Sequence, residues 1–143
     1  MDRARDRYGR PLKRGEDPSL AVPGIPVRDA ISGALAWSEA LRYLDEDKPF
    51  HVHEVFEQRW RCCPPEERAL WQALAQWGAA MTHVARGNPV GAQRVASRAL
   101  LGLDAVTHMA RNSPSEGAGG DSIMTGDIDV ARASLNEILR TQG

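Results

Sequence analysis

An internal repeat of 40 residues constrains the fold of this chain more than any other feature of the sequence. Trp37 and Trp77 are separated by this interval, and so are Pro49 and Pro89. Identical or similar residues coincide at further pairs: Arg28 with Arg68, Ala40 with Ala80, Leu44 with Val84, Phe50 with Val90, and Val55 with Val95. Each copy reads as a helical pattern, a short turn with a proline, and a second helical pattern. The repeat therefore predicts two stacked helical hairpins, which bury faces that neither hairpin could bury alone.

Turn and cap signals divide the chain into five predicted helices. Gly87 is suited to a left-handed helix cap, and the prolines at 49 and 89 are suited to the first turn of a helix. The first predicted helix begins at Val27 and ends before Asp47. The other four span about 50–61, 66–86, 89–106 and 125–139, and a Gly/Ser/Pro loop is predicted at 113–120. No convincing strand pattern is present.

Small residues in the second half resemble those of tetratricopeptide hairpins, where helices approach closely: Gly78, Gly87, Ala92 and Ala99. Two repeats fall short of the three that a solenoid usually needs, so the fifth helix is expected to close the core. The predicted fold class is all-α, a compact helical bundle of two stacked helical hairpins (a tetratricopeptide-like pseudo-repeat) plus a C-terminal helix.

The N-terminal residues differ in composition from the remainder of the 143-residue chain. Residues 1–14 contain six basic side chains and two acidic ones, although the net charge of the whole chain is only -1. Residues 1–26 also contain four prolines, which predicts a disordered basic arm at 1–26 and a single helical domain at 27–143. The run Gly9-Arg10-Pro11 is similar to a minor-groove-binding hook, but it occurs once and follows Tyr8 instead of a basic residue. A solubilising arm is favoured over nucleic-acid binding through residues 1–16.

Cysteine usage and hydropathy predict a cytoplasmic protein that does not enter a membrane. The only cysteines, Cys62 and Cys63, are adjacent and cannot build a disulfide framework. The N-terminus lacks the apolar run of a secretory signal, and no stretch approaches the roughly 20 apolar residues of a membrane span.

A polar cluster on the second predicted helix is the main candidate for a functional site. His53 and Glu57 lie four residues apart at the border of the apolar stripe formed by Val52, Phe56 and Trp60. The antiparallel register of the hairpins places Tyr43 opposite His53, Gln76 close to His53 and Gln72 close to Glu57. The predicted polar pocket comprises Tyr43, His53, Glu54, Glu57, Trp60, Gln72 and Gln76. His83 is a secondary candidate, and His51 is expected to be exposed on a different face.

Three hypotheses account for this cluster. His53 with a neighbouring carboxylate could act as a general base or acid. His53 and Glu57 could supply two ligands to a divalent metal, although the chain lacks the second histidine of the zincin motif. Alternatively, the polar groups could satisfy one another in a structural network that sets the helix register.

The same residues resemble the domain-of-unknown-function family 309. The family pattern is Phe-x-x-His-Glu-x-x-Glu followed by a Trp, matched here by Phe50, His53, Glu54, Glu57 and Trp60. A second block is matched by Gln72, Gln76, His83, Arg86-Gly87-Asn88 and Gly91-Ala92, with Ala73 where the family has glycine and His51 where an acid is usual. The resemblance, clearest from about residue 40 to 101, implies a small all-helical bacterial protein and implies no established activity.

The functional expectation is a non-catalytic helical module that binds or scaffolds an unidentified protein or small molecule through the pocket around His53 and Glu57. The alternative is a small hydrolase-like enzyme or a metal-binding protein that uses His53, Glu54 and Glu57. No cofactor is predicted, and a divalent metal is the only candidate.

Overall fold

Five α-helices form the part of the chain that the computed structural model describes, which is residues 5–6, 8–12, 15, 22–112 and 125–142. The helices are α1 (Gly33–Asp45), α2 (Pro49–Cys62), α3 (Arg68–Ala85), α4 (Pro89–Asn112) and α5 (Thr125–Thr141), and a 3₁₀ turn (Pro65–Glu67) precedes α3. No β-strand occurs among these described residues, so the predicted all-α fold is confirmed. The predicted loop at 113–120 lies outside the described residues.

The turns α1–α2 and α3–α4 have the same hydrogen bonds at an interval of 40 residues. The main-chain N–H of Lys48 donates to the carbonyl of Tyr43 at 2.9 Å, and that of Asn88 donates to the carbonyl of His83 at 2.8 Å. The residue before each donor has a positive φ, 59° in the first turn and 73° in the second, where it is Gly87. These bonds satisfy carbonyls at the ends of α1 and α3. The repeat read from the sequence is therefore a repeat of backbone geometry.

The predicted start of α1 at Val27 is wrong, because the helix begins at Gly33. Ser32 is its N-cap, and its hydroxyl accepts a hydrogen bond from the main-chain N–H of Leu35 at 3.1 Å. Ile31 lies before the helix, yet it is buried, and its carbonyl accepts from Nη1 of Arg59 at 3.0 Å. Ile31 thus packs on the core from a non-helical segment.

The helix α3 lies at the centre of the bundle. It packs against α2, α4 and α5, whereas α1 packs against α2. Aromatic rings fill the first hairpin and its junction with α3, and the ring centroid of Phe56 lies 5.9 Å from those of Trp37 and Trp71 and 6.2 Å from that of Trp77. The indole N–H of Trp77 donates to the hydroxyl of Ser134 at 2.9 Å. This bond joins α3 to α5, which closes the core as predicted.

Close packing of α2 on α3 depends on Gly78. A Cβ atom at this position would lie 2.5 Å from the main-chain nitrogen of His53 and 2.6 Å from its Cα. Such distances exclude any side chain, so glycine allows the two backbones to touch. The α3–α4 contact is less tight, since a Cβ on Gly102 would meet the Cβ of Ala73 at 3.0 Å. Gly102 therefore provides the space that the methyl group of Ala73 occupies.

Some of the described residues before the predicted boundary at 26 contact the helices. The carbonyl of Pro23, for example, lies 2.6 Å from Nε2 of His51. The division into an arm at 1–26 and a domain at 27–143 stays a prediction. Among the described helices, none has both the length and the apolar character needed to cross a membrane.

Candidate functional site

A cavity of about 220 Å³ lies at the surface of the α2–α3 junction. The helix α2 contributes three lining residues and α3 contributes four at i, i+3, i+4 and i+7, which is one face of a helix. The lining residues are His53, Glu57, Trp60, Gln72, Ala75, Gln76 and Ala79. The structure therefore brings together five of the seven residues that the sequence assigned to a polar pocket. Their functional role stays a prediction.

His53 is held by contacts at both ring nitrogens. Its Nδ1 lies 2.9 Å from the carbonyl oxygen of Ala75, and because a carbonyl oxygen only accepts, Nδ1 is the donor. Its Nε2 lies 3.2 Å from Oε2 of Glu57. A carboxylate also accepts, so the imidazolium form satisfies both contacts at once. The ring is fixed across the seam, with one edge against the α3 backbone and the other against a side chain of α2.

The carboxylate of Glu57 is shared between two basic groups, since Arg61 also pairs with it from the next turn of α2. Trp60 lies beside this pair, and the guanidinium carbon of Arg68 is 4.8 Å from its ring centroid. The charges near the cavity thus belong to pairs and stacked groups. What remains for a ligand is an apolar wall from Ala75, Ala79 and Trp60, with the amides of Gln72 and Gln76 beside it.

The described residues supply no third protein ligand for a metal beside His53 and Glu57. Within the described part of the chain, no group of three or more His, Cys, Asp or Glu side chains is arranged to hold a metal ion. His53 and Glu57 would supply two ligands, and Nε2 of His53 already faces the carboxylate. A metal bound by this pair stays a prediction.

Tyr43 is not among the residues that line the cavity. It is buried, and its ring centroid lies 5.1 Å from that of His51, two residues before His53. The prediction that His51 is exposed is wrong, because its exposed fraction is 3% and its Nε2 donates to the carbonyl of Pro23. The register inferred through the turn therefore paired Tyr43 with the wrong histidine.

Glu54 lies on a different side of α2 from the cavity. It lines a second cavity of about 290 Å³, which residues 25–29 form with α2 and which also reaches Glu57. Burial raises the pKa of the Glu54 carboxyl, although His51, His53 and Arg5 act in the opposite direction. Glu57 thus separates two cavities, and only His53 and Glu57 of the predicted acid–base trio share the α2–α3 cavity.

His83 lies at the α3–α4 turn and does not line the α2–α3 cavity. Its Nδ1 is 3.1 Å from the side-chain nitrogen of Asn88. Burial and the neighbouring guanidinium of Arg86 lower its pKa. Its contacts are those of a residue that packs on a turn.

Ala75 and Ala79 belong to the cavity but were not predicted from the sequence. The signal was present, because they complete the i, i+3, i+4, i+7 pattern that begins with Gln72 and Gln76. Small apolar residues beside two glutamines leave space above the helix, and that space is the cavity.

The fold and this cavity define a class: an all-α bundle of two stacked helical hairpins with a polar-edged cavity at their junction. Residues 37–95, less than half of the chain, match the family model described as Domain of unknown function (DUF309). The matched segment contains all seven predicted pocket residues, and the resemblance recognised from the sequence motifs is confirmed. The searches of curated proteins and of solved structures found no match.

Proposed function

We propose that the protein is a non-catalytic binding module and that the α2–α3 cavity is its ligand site. The observation that carries this proposal is that both ring nitrogens of His53 already contact protein groups. A general base needs an unprotonated nitrogen that can reach the substrate. In His53, Nδ1 is bound to the carbonyl of Ala75 and Nε2 faces the carboxylate of Glu57. The pair therefore supports the cavity wall instead of presenting a free lone pair to a ligand.

The size of the cavity supports a small occupant. A volume of about 220 Å³ lies below the roughly 300–1,000 Å³ of sites for drug-sized molecules. It suits one amino-acid side chain from a partner protein, or a small molecule of that size. The apolar wall would take an aliphatic or aromatic group, and the amides of Gln72 and Gln76 would bind its polar end.

Filling the cavity should abolish binding and preserve the fold. In Ala79→Leu the larger side chain would occupy the space between α2 and α3, and we expect at least a tenfold loss of affinity. The measurement is an NMR titration with N-acetyl amino-acid amides, which follows the indole N–H of Trp60 and the side-chain amides of Gln72 and Gln76. Ala69→Leu is the matched control, because Ala69 is exposed on the same helix. Equal affinity in the two variants, or shifts outside the cavity only, would contradict the proposal.

The alternative of a small hydrolase-like enzyme predicts a different result for His53→Ala. If the module is non-catalytic, this variant should lose stability, by about 1–3 kcal/mol, because the carbonyl of Ala75 loses its partner and the carboxylate of Glu57 loses one of two. The free energy of unfolding and the hydrolysis of ester and phosphoester substrates would be measured together. Full stability combined with loss of a measurable turnover would favour the enzyme.

The proposed compartment is the bacterial cytoplasm. Free thiols at Cys62 and Cys63 support it, since reducing conditions keep such groups unpaired. No cofactor is proposed for the binding function.

A further inference from the structure

A turn near the N-terminus packs on the ends of α2 and α3, remote in sequence from both. We call residues 8–10 the hook and the surface of Asp47, Phe50 and Arg86 the hook site. The hook crosses the junction where α2 begins and α3 ends, beyond the His53 end of the α2–α3 cavity. Phe50 lies between the two, because its ring centroid is 6.1 Å from that of His53.

The hook and Arg86 exchange two hydrogen bonds. Nε of Arg86 donates to the carbonyl of Tyr8 at 3.0 Å, and Nη2 of Arg10 donates to the carbonyl of Arg86 at 2.7 Å. The carbonyl of Arg86 stands at the C-terminal end of α3, where a cation is favourable. The hydroxyl of Tyr8 donates to Asp47 at 3.3 Å. Asp47 and Arg86 of the hook site therefore each have a hydrogen-bond partner in the hook.

Gly9 is required by two independent features of the hook. Its φ of 78° lies in the left-handed region, which glycine adopts without strain. A Cβ at this position would also lie 2.5 Å from Cδ1 and Cδ2 of the Phe50 ring. The backbone of Gly9 thus lies flat on the ring, and the guanidinium carbons of Arg5 and Arg86 lie 5.8 Å and 5.9 Å from the same centroid.

Hydrogen bonds to Asp6 hold the conformation of the hook. The carboxylate of Asp6 accepts hydrogen bonds from the main-chain N–H groups of Tyr8 at 2.9 Å and Arg10 at 3.0 Å. The N–H of Gly9 donates to the carbonyl of Asp6 at 3.0 Å, and the N–H of Asp6 donates to the carbonyl of Arg10 at 2.9 Å. A turn closed by four local bonds loses less entropy on docking than an open chain would.

We propose that the hook site is a peptide-recognition site for the sequence Asp-x-Tyr-Gly-Arg, and that Asp6 and the hook of this chain are its ligand. Three contacts give the site its specificity. The glycine packs on the Phe50 ring, the arginine donates to the carbonyl at the C-terminal end of α3, and the tyrosine hydroxyl donates to Asp47. It is separate from the α2–α3 cavity, so it stands whether or not that cavity binds a ligand. The tethered segment occupies the site reversibly, and a free peptide of the same sequence competes for it.

The first test uses Gly9→Ala in the full chain. The methyl group would collide with Phe50, so we expect the hook to leave its site while the helices remain, as judged by far-UV circular dichroism. NMR signals of the Phe50 ring and of Nε–H of Arg86 should then move. Gly15→Ala is the matched control, because Gly15 also has a positive φ of 91° but open space around its Cα. Unchanged Phe50 and Arg86 signals in Gly9→Ala, or equal changes in the control, would overturn the proposal.

The second test adds a synthetic peptide of residues 1–12 to the Gly9→Ala protein. A short tether corresponds to an effective concentration on the order of millimolar, so the titration must extend to that range. If the Phe50 and Arg86 signals return to their wild-type positions and the effect saturates, the site is supported. The peptide that carries Gly9→Ala should leave both signals unchanged. Equal effects of the two peptides, or no effect of either, would refute sequence-specific recognition.

Discussion

Glu67→Ala is expected to lower the free energy of unfolding by about 3 kcal/mol, because it removes a carboxylate that pairs with the buried guanidinium of Arg59 and accepts the indole N–H of Trp71. The exposed fraction of the Arg59 side chain is 6%, and its Nη2 lies 3.1 Å from Oε1 of Glu67. The same oxygen accepts from the indole N–H of Trp71 at 2.9 Å. One atom thus serves two groups that are largely removed from water, and a methyl group replaces neither bond. Chemical denaturation of the two proteins measures the effect.

The neighbouring residue provides the control for this prediction. Glu66 is exposed, so Glu66→Ala should change the free energy of unfolding by less than about 0.5 kcal/mol. If Glu66→Ala and Glu67→Ala proved equally stable, the buried pair would not have the assigned role.

Gly78→Ala should have a comparable effect through packing. The added Cβ would lie 2.5 Å from the main-chain nitrogen of His53, and backbone on both sides cannot yield as a flexible side chain can. Overpacking of this kind costs roughly 1–3 kcal/mol or more, which exceeds the roughly 1 kcal/mol that alanine gains over glycine in a helix. The helices α2 and α3 would separate, and His53 would lose its contact with Ala75. Denaturation and the Cε1–H NMR signal of His53 report the two effects.

Gly102→Ala is the matched control, since it makes the same change in the interior of the neighbouring helix α4. Its Cβ would meet the Cβ of Ala73 at 3.0 Å and the Cα of Ala73 at 3.9 Å, and a shift of a few tenths of an ångström relieves the shorter contact. We expect its stability to lie within about 1 kcal/mol of that of the wild type. A Gly78→Ala protein as stable as Gly102→Ala, with an unshifted His53 signal, would exclude the proposed backbone contact.

The predicted helices were close to the observed ones where local signals end or begin them. Pro49 and Pro89 each begin a helix, and Gly87 has the left-handed conformation expected of a cap. The start of α1 was missed although Ser32 is a local signal, because Ala30 and Ile31 before it extended the helical pattern. A residue can be buried without being helical, and Ile31 is buried just before the first turn of α1.

The candidate site was predicted in part, and the error has a geometric cause. Spacing on one helix paired His53 with Glu57 and Gln72 with Gln76, and the register through the turn near residue 64 placed both pairs at the same cavity. Contacts across a turn depend on where the turn begins, and two residues of error rotate a helix face by about 200°. Tyr43 consequently packs on His51, and Glu54 lines a cavity that residues 25–29 complete.

The sequence by itself determined the two hairpins. Helical periodicity and caps act within a few residues of the chain, and the 40-residue repeat shows the same local signals twice. Only the tertiary structure decided which polar groups form hydrogen bonds with each other across the fold. The carbonyl of Ala75 was available to His53 only because Gly78 let two backbones meet, and Arg10 reached the end of α3 across 76 positions of sequence. Such contacts depend on the positions of whole helices, because a hydrogen bond tolerates only a few tenths of an ångström in the distance between its atoms.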